Sequence, residues 1–379
     1  MSKWPMVALG DVLEQDTNYI HELEPRLYPK LSVKLYGRGV VLDQPAHGAD
    51  VRMNKHQLAQ SGQVILSEIW AKKGAIGIVP TDGEGALCTS HFFLFNIKSD
   101  KVHPKYIEWL LCGNYFEPQL GTEARGTTGY AAVRPKQFLA ATIPLPPLSE
   151  QHAIVAKLDE LSDKTRQLNT HLDAIEADAD RLLSLRFRDA ITNAPYRLMS
   201  EVAPLVRREQ SIAFDGSYPE LGVRSFGKGT FHKPPLSGAE VGTKRLYRIE
   251  PGDLIFSNVF AWEGAITIAQ PEDTGRYGSH RFMTCVVNNQ RLETSFLLYY
   301  LLSPEGMEKI REASPGGAGR NRTLGVEKLA KIEVPVPSLE VQRDFVTLQA
   351  TVATLKAKHS AIHEANAALL PAILGRIFS

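Results

Sequence analysis

Long apolar runs are missing from this 379-residue chain. The stretches that come nearest, such as Phe296 to Leu302, fall far short of the ~20 residues a membrane-spanning helix needs. The start, Met1-Ser2-Lys3-Trp4-Pro5, lacks the basic and apolar stretches of a signal peptide. Cysteine is scarce. Cys88, Cys112 and Cys285 are odd in number and lack metal-ligand spacing, and no HExxH or CxxC pattern occurs. This argues against a disulfide framework or a metal centre and suits buried thiols in a reducing compartment. The expectation is a cytoplasmic chain. An excess of one charge is lacking too, since 43 basic residues face 42 acidic ones for a net charge of +1. A protein that simply coats nucleic acid would be more basic. Local patches matter more than the sum, so any affinity for a polyanion is expected to be modest or shared with a partner chain.

What the chain does have is material for two cores, with 43% hydrophobic and 22% charged residues over a length that suits two domains. It also has an internal repeat. Tyr28-Pro29-Lys30-Leu31-Ser32-Val33-Lys34 matches Tyr218-Pro219-Glu220-Leu221-Gly222-Val223-Arg224, 190 positions on. The register continues from Gly37-Arg38-Gly39 to Gly227-Lys228-Gly229. It also takes Gly62–Ser67 to Gly252–Ser257, and Gly74-Ala75-Ile76 to Gly264-Ala265-Ile266. Ser90-His91 falls on Ser279-His280 at a shift of 189, and Ile143-Pro144-Leu145-Pro146 on Val334-Pro335-Val336-Pro337 at 191. An accidental match would not hold register for over a hundred residues.

Each half reads as a mixed region of short Gly-entered strands and helical stretches near 104–112 and 295–302. A Pro-rich connector closes each region, and a long helix follows. Ser149 is expected as the N-cap of the first helix, with Glu150 at its favourable end. A helix over 149–190 would be roughly 60 Å long. Leu158, Leu161, Thr165, Leu168, Leu172, Ile175, Ala179 and Leu182 form a heptad seam on it. Phe345, Leu348, Val352, Leu355, His359, Ile362, Asn366 and Leu369 form a more polar one on the second helix. There the shift drops to 187, a loss of four residues, or about one turn, that keeps the same face inward. Pro371 is expected to kink or end the second helix. Each helix could pack on its own globular region. The preferred expectation is an α+β chain in which the two helices pack on each other as an antiparallel coiled coil with a pseudo-two-fold relation.

The run Ile143-Pro144-Leu145-Pro146-Pro147-Leu148-Ser149-Glu150-Gln151, followed by Ile154-Val155-Ala156-Lys157-Leu158-Asp159, resembles the central region of type I restriction–modification specificity subunits. A weaker copy, Val334-Pro335-Val336-Pro337-Ser338-Leu339-Glu340-Val341-Gln342, stands where that family has its second such region. The resemblance implies target recognition domains over 1–147 and 195–337, and helical spacers over 148–194 and 338–379. Each recognition domain would read one half of a bipartite, asymmetric site on double-stranded DNA. The helices would fix the gap and dock two adenine methyltransferase subunits, with restriction and motor subunits joining the larger complex. S-adenosylmethionine, ATP and Mg would belong to those partners, and this chain would carry no cofactor and no catalysis. The second connector lacks the Pro-Pro step and the adjacent Glu-Gln pair, so docking of the second partner is expected to be less similar.

The adenine methyltransferase signature, Asn/Asp-Pro-Pro-aromatic, is absent. Pro146-Pro147 follows Leu145, and Pro234-Pro235 follows Lys233. Gly222-Val223-Arg224-Ser225-Phe226-Gly227-Lys228-Gly229 imitates a phosphate-binding P-loop. It has Gly229 where Ser or Thr should hold Mg²⁺, and its counterpart begins with Ser32.

DNA affinity should come from Lys and Arg on phosphates, and specificity from a few side chains at base edges. Equivalent loops should then face DNA in both halves. Lys34 and Arg38 align with Arg224 and Lys228 around paired Gly-x-Gly turns. His91 and His280, with Arg281 beside the latter, form a second pair. The Gly-rich loops before each connector add Arg125, Thr127, Thr128 and Tyr130 in the first half, and Arg320, Asn321 and Arg322 in the second. Arg suits guanine and Asn adenine. The Gly-x-Gly tips could instead be ordinary solvated turns, the Ser-His pair could serve a structural role at a strand start, and the Gly-rich loops could be merely flexible. Other functional readings are a specificity chain of a two-part restriction–methylation enzyme, a P-loop nucleotide hydrolase, and a coiled-coil scaffold with no DNA role.

Overall fold

The computed structural model describes residues 4–52, 55–113, 115–121, 132–316 and 322–378. Two compact units emerge, one of Met1–Leu172 with His359–Ser379, the other of Asp173–Lys358. The division falls inside both long helices, so each unit receives one end of each.

The strands of the first unit are β1 (Met6–Ala8), β2 (Leu13–Gln15), β3 (Leu27–Val33), β4 (Val40–His47), β5 (Gln57–Leu58), β6 (Val64–Ser67), β7 (Ile76–Ile78), β8 (Leu87–Cys88), β9 (Phe92–Ile97) and β10 (Thr142–Pro144). They form four-stranded sheets ordered β2-β9-β6-β7 and β4-β3-β8-β5, and a β1-β10 pair. Strand β6 shows why its sequence is apolar on both faces. Val64 and Leu66 enter the main core with Tyr106, Leu110 and Phe138, while Ile65 turns into a smaller cluster with Leu31, Val79 and Leu94. Alternate residues of a strand point to opposite faces, and here both faces are covered.

The second unit repeats this with β11 (Tyr196–Leu198), β12 (Leu205–Val206), β13 (Glu209–Gln210), β14 (Ser217–Val223), β15 (Thr230–Ser237), β16 (Leu246–Arg248), β17 (Leu254–Ser257), β18 (Ile266–Ile268), β19 (Tyr277–Ser279), β20 (Phe282–Cys285) and β21 (Glu333–Pro335). The order β12-β20-β17-β18 reproduces the first sheet, and β13-β16-β19-β14-β15 reproduces the second with one added strand. Leu254 and Phe256 face one core and Ile255 the other, as in β6. Slips in hairpin register recur as well, between Tyr28 and Lys30 and between Pro219 and Leu221.

The long helices span Leu148–Ile191 and Leu339–Phe378, 44 and 40 residues, so the second is four shorter. In the first unit, Val155 and Leu158 from the start of one helix share a core with Leu374 and Phe378 from the end of the other. Asn366 Nδ2 there donates to Asn169 Oδ1 at 2.8 Å. In the second unit, the Phe187 and Phe345 rings lie 5.1 Å apart and Lys356 pairs with Asp180 at 2.6 Å. In both units the chain directions are antiparallel.

Four expectations about these segments need correction. The first helix begins at Leu148, which places Ser149 inside the first turn; the capping role falls to Ser338 in the second copy, whose hydroxyl accepts from Val341 N. Pro371 neither ends nor blocks the second helix, which continues to Phe378. Its last turns are held by burial, since Leu374 and Phe378 are 3% exposed and Phe378 packs edge-on against Tyr106. The seam holds only in part. Leu158, Leu172, Phe345, Val352 and His359 are buried as expected, whereas Leu168, Ile175, Leu182, Ile362 and Leu369 are exposed and Leu183 and Phe187, outside the seam, are buried. Finally, burial fits Cys88 and Cys285, whose thiols are pushed up to about 12 by desolvation, but Cys112 is exposed at a helix end.

Candidate nucleic-acid interface

The paired Gly-x-Gly segments are the tips of two equivalent hairpins, β3–β4 and β14–β15. Each is closed by one backbone bond, Lys34 N to Gly39 O and Arg224 N to Gly229 O, both 2.9 Å. Each tip is clamped to a neighbouring turn by two more. Tyr36 N donates to Lys73 O at 2.7 Å and Gly37 N to Gly74 O at 3.0 Å. Phe226 N donates to Glu263 O at 2.9 Å and Gly227 N to Gly264 O at 2.8 Å. The glycines are required for two reasons. Gly37 and Gly227 have φ of 65° and 64°. A Cβ at Gly37 would also stand 2.5 Å from Leu111 O, and one at Gly227 2.6 Å from a Leu302 methyl. The tips therefore sit against the ends of the helices Pro104–Cys112 and Thr294–Leu302.

Lys34, Arg38, Arg224 and Lys228 are all exposed on these tips. The Arg224 guanidinium also donates to Thr230 O and lies 5.2 Å from the Phe231 ring. In the second unit, buried Asp273 accepts from Thr230 and is 3.0 Å from His232 Nε2, which anchors β15 beneath the tip. This geometry removes the P-loop reading. Gly222 to Gly229 is strand and turn and leads into strand β15, with no helix N-terminus to receive a phosphate.

The structure shifts the second candidate pair by one residue. Glu68 N donates to His91 O at 2.8 Å and Asn258 N to Arg281 O at 2.9 Å. The sheet pairs Ser67 with Phe92 and Ser257 with Phe282. The counterpart of His91 is thus Arg281, and that of Ser90 is His280. The local match of Ser-His to Ser-His is a coincidence of composition. His91 Nδ1 is 3.0 Å from a carboxylate oxygen of Glu68, whose other oxygen pairs with Arg134 at 2.6 Å. Through Glu68, His91 ties the turn that enters strand β9 to Arg134 in the segment before the connector. At the Glu68 position the second unit has Asn258, whose buried Oδ1 has no hydrogen-bond partner among the described residues. His280 and Arg281 are exposed. Arg322 is half-buried with its guanidinium 5.6 Å from the Trp262 ring. Arg125, Thr127, Thr128, Tyr130, Arg320 and Asn321 lie outside the described residues.

Sequence reasoning passed over the aromatic residues of the same tips. Tyr36 and Phe226 have φ of 60° and 61°, the sole non-glycine positive values among the described residues. For an L-residue that conformation costs about 1–2 kcal/mol. Their side chains are 56% and 72% exposed, so core packing does not offset the cost. The turns that clamp the tips carry exposed Trp70 and Phe260, again at equivalent positions. The 190-residue register lines up both aromatic pairs, Tyr36 with Phe226 and Trp70 with Phe260, and is the signal that could have found them.

The family described as "Type I restriction modification DNA specificity domain" matches residues 1–177. Residues 1–177 are thus similar to a type I specificity domain. The chain is 27% identical over 200 residues to the EcoDI specificity subunit of Escherichia coli, an overlap of 52% of this chain and 41% of that one. It is 20% identical over 307 residues to a MjaX specificity subunit, described as putative, of Methanocaldococcus jannaschii, covering 74% and 69%. The alignment thus spans less than half of the EcoDI subunit's length. Among solved structures, the HsdS subunit from Thermoanaerobacter tengcongensis superposes with a TM-score of 0.64 at 22% identity, covering 99% of this chain and 96% of that one. A chain from a study of complex assembly and conformational transition of the type I R-M system gives a TM-score of 0.68 at 21% identity, covering 99% and 97%. The family match over the first half and the fold shared along the whole chain support the resemblance drawn from the connector motif.

Proposed function

We propose that this chain is the non-catalytic, DNA-sequence-reading subunit of a type I restriction–modification enzyme. Each unit reads one half of a bipartite, asymmetric site on double-stranded DNA. The observation that carries this reading is the duplicated basic hairpin tip, built by the same backbone bonds in both units of a specificity-subunit fold. Lys34, Arg38, Arg224 and Lys228 contact phosphates, and His280, Arg281 and Arg322 are the candidates for base edges. The recognition domains are 1–147 and 195–337, with the helical parts 148–194 and 338–379 docking adenine methyltransferase subunits. Exposed Leu168, Ile362 and Leu369 in the first unit, and Ile175, Leu182 and Leu185 in the second, supply apolar surface for that docking. Restriction and motor subunits complete the enzyme in the cytoplasm, and S-adenosylmethionine, ATP and Mg act on the partners. Among the described residues no group of His, Cys, Asp and Glu could hold a metal ion, and no helix is long and apolar enough to cross a membrane.

The test is reconstitution with an adenine methyltransferase chain. The complex should bind and methylate one bipartite sequence, and the purified chain alone should transfer no methyl group. Methyl transfer by the chain alone would sink this reading.

A further inference from the structure

Two aromatic side chains pay a conformational penalty at the same place in both units, and neither is buried in a core. Tyr36 and Phe226 sit in the left-handed region, where glycine would be free of strain, and glycines already occupy the next position and the one two beyond it. Both rings are largely exposed. Strain of this kind persists where surrounding structure enforces it and is concentrated at functional sites. The enforcement is visible in the clamp of each tip to the 71–74 and 261–264 turns. An isolated exposed aromatic is ordinary on a protein surface. Two at equivalent positions, both strained and each accompanied by a second exposed ring (Trp70 or Phe260), are not explained that way.

The surroundings indicate the ligand. Lys34 and Arg38 flank Tyr36, and Arg224 and Lys228 flank Phe226, all exposed, with the Lys228 ammonium 5.9 Å from the Phe226 ring. Lys73 likewise lies 5.2 Å from the Trp70 ring. A cationic rim around a projecting aromatic ring fits a polyanion with apolar surface between its charges, which is duplex DNA. We propose that Tyr36 and Phe226 are DNA-contacting residues, presenting aromatic surface to the bases while the flanking cations engage phosphates. Trp70 and Phe260 extend the same patch. This rests on the DNA-reading function proposed above and adds to it a contact that does not depend on salt. The clamp fixes the left-handed backbone that carries each exposed ring before DNA arrives, so little ordering is left to occur on binding.

The experiment uses the full chain assembled with its methyltransferase partner, and a duplex selected from a random pool by the parent complex. Tyr36→Gly and Phe226→Gly relieve the strain, so the melting temperature should be unchanged or higher. Each should weaken DNA binding roughly tenfold. The slope of log Kd against log salt should stay at the parent value, because no phosphate contact is lost. Tyr36→Asn and Phe226→Asn, which tolerate the left-handed region, should bind as weakly as the glycine variants. Parent-like affinity in the glycine variants would overturn the proposal and leave the DNA-reading function intact. So would lost association with the methyltransferase at unchanged DNA affinity, which would assign the rings to the partner chain. A parent complex that selects no sequence overturns both.

Discussion

Gln151 and Gln342 show how much one buried side chain can organise. Both are fully buried, and both make the same three bonds. Gln151 Oε1 accepts from His103 N at 2.7 Å, and its amide donates to Pro146 O and Lys101 O at 2.8 and 3.3 Å. Gln342 repeats this with Glu293 N, Pro337 O and Arg291 O at 2.7, 2.8 and 3.0 Å. Each joins the connector, the first turn of a long helix and the N-terminus of a shorter helix. Replacing it with Leu leaves one N–H and two carbonyls unpaired away from water, at about 1–3 kcal/mol for each group that finds no new partner. Gln151→Leu and Gln342→Leu should each lower the urea midpoint, and a midpoint equal to the parent's would show that water satisfies those groups instead. The connector motif drew attention to Gln151 but hid this work, because a motif names a residue without its partners. It also made the second copy look degraded. The Glu-Gln pair is broken there, yet the glutamine that carries the bonds is kept.

At the scale of elements, the helices were legible in length and direction and only in part in facing. The heptad seam of the first helix joins two apolar rows. Leu168, Ile175 and Leu182 form one, which is exposed; Leu158 and Leu172 lie on the other, which is buried and continues through partly buried Ala179 to Leu183 and Phe187. Periodicity cannot choose between two apolar rows. Asn366, one of the polar residues of the second seam, finds a partner in Asn169, a pairing suited to fixing register. Pro371 was misjudged because propensity was weighed without the packing beyond it. Four apolar residues after it, Ile373, Leu374, Ile377 and Phe378, belong to the first unit's core, and their burial outweighs the missing backbone bond. Pro371→Ala should therefore stabilise the protein, by up to about 3 kcal/mol if the helix is otherwise undistorted. Thermal unfolding checks this, and a lower melting temperature would mean that the proline is accommodated by a bend the core requires.

For the whole molecule, the puzzle is how a chain with a net charge of +1 would hold DNA. On the proposed reading, cations concentrated at repeated positions resolve it. If Lys34 and Arg38 each neutralise a phosphate, removing both should reduce the magnitude of the slope of log affinity against log salt by about 1.8. Arg224→Ala with Lys228→Ala should do the same, since those residues hold the same places on an equivalent tip. The two hairpins belong to separate compact units, so their effects should add in the quadruple variant. The measurement is DNA affinity of the reconstituted complex between 50 and 200 mM salt, a range over which phosphate contacts are expressed strongly, by about 10³–10⁵ for six to ten of them. Equal, additive losses would establish that both tips face DNA. A slope altered by one pair alone would show that the duplicated geometry is used once, with the other tip turned to a different task. The sequence register predicted the pairing of these four residues, and the shared clamp of each tip gives the physical reason to expect equality.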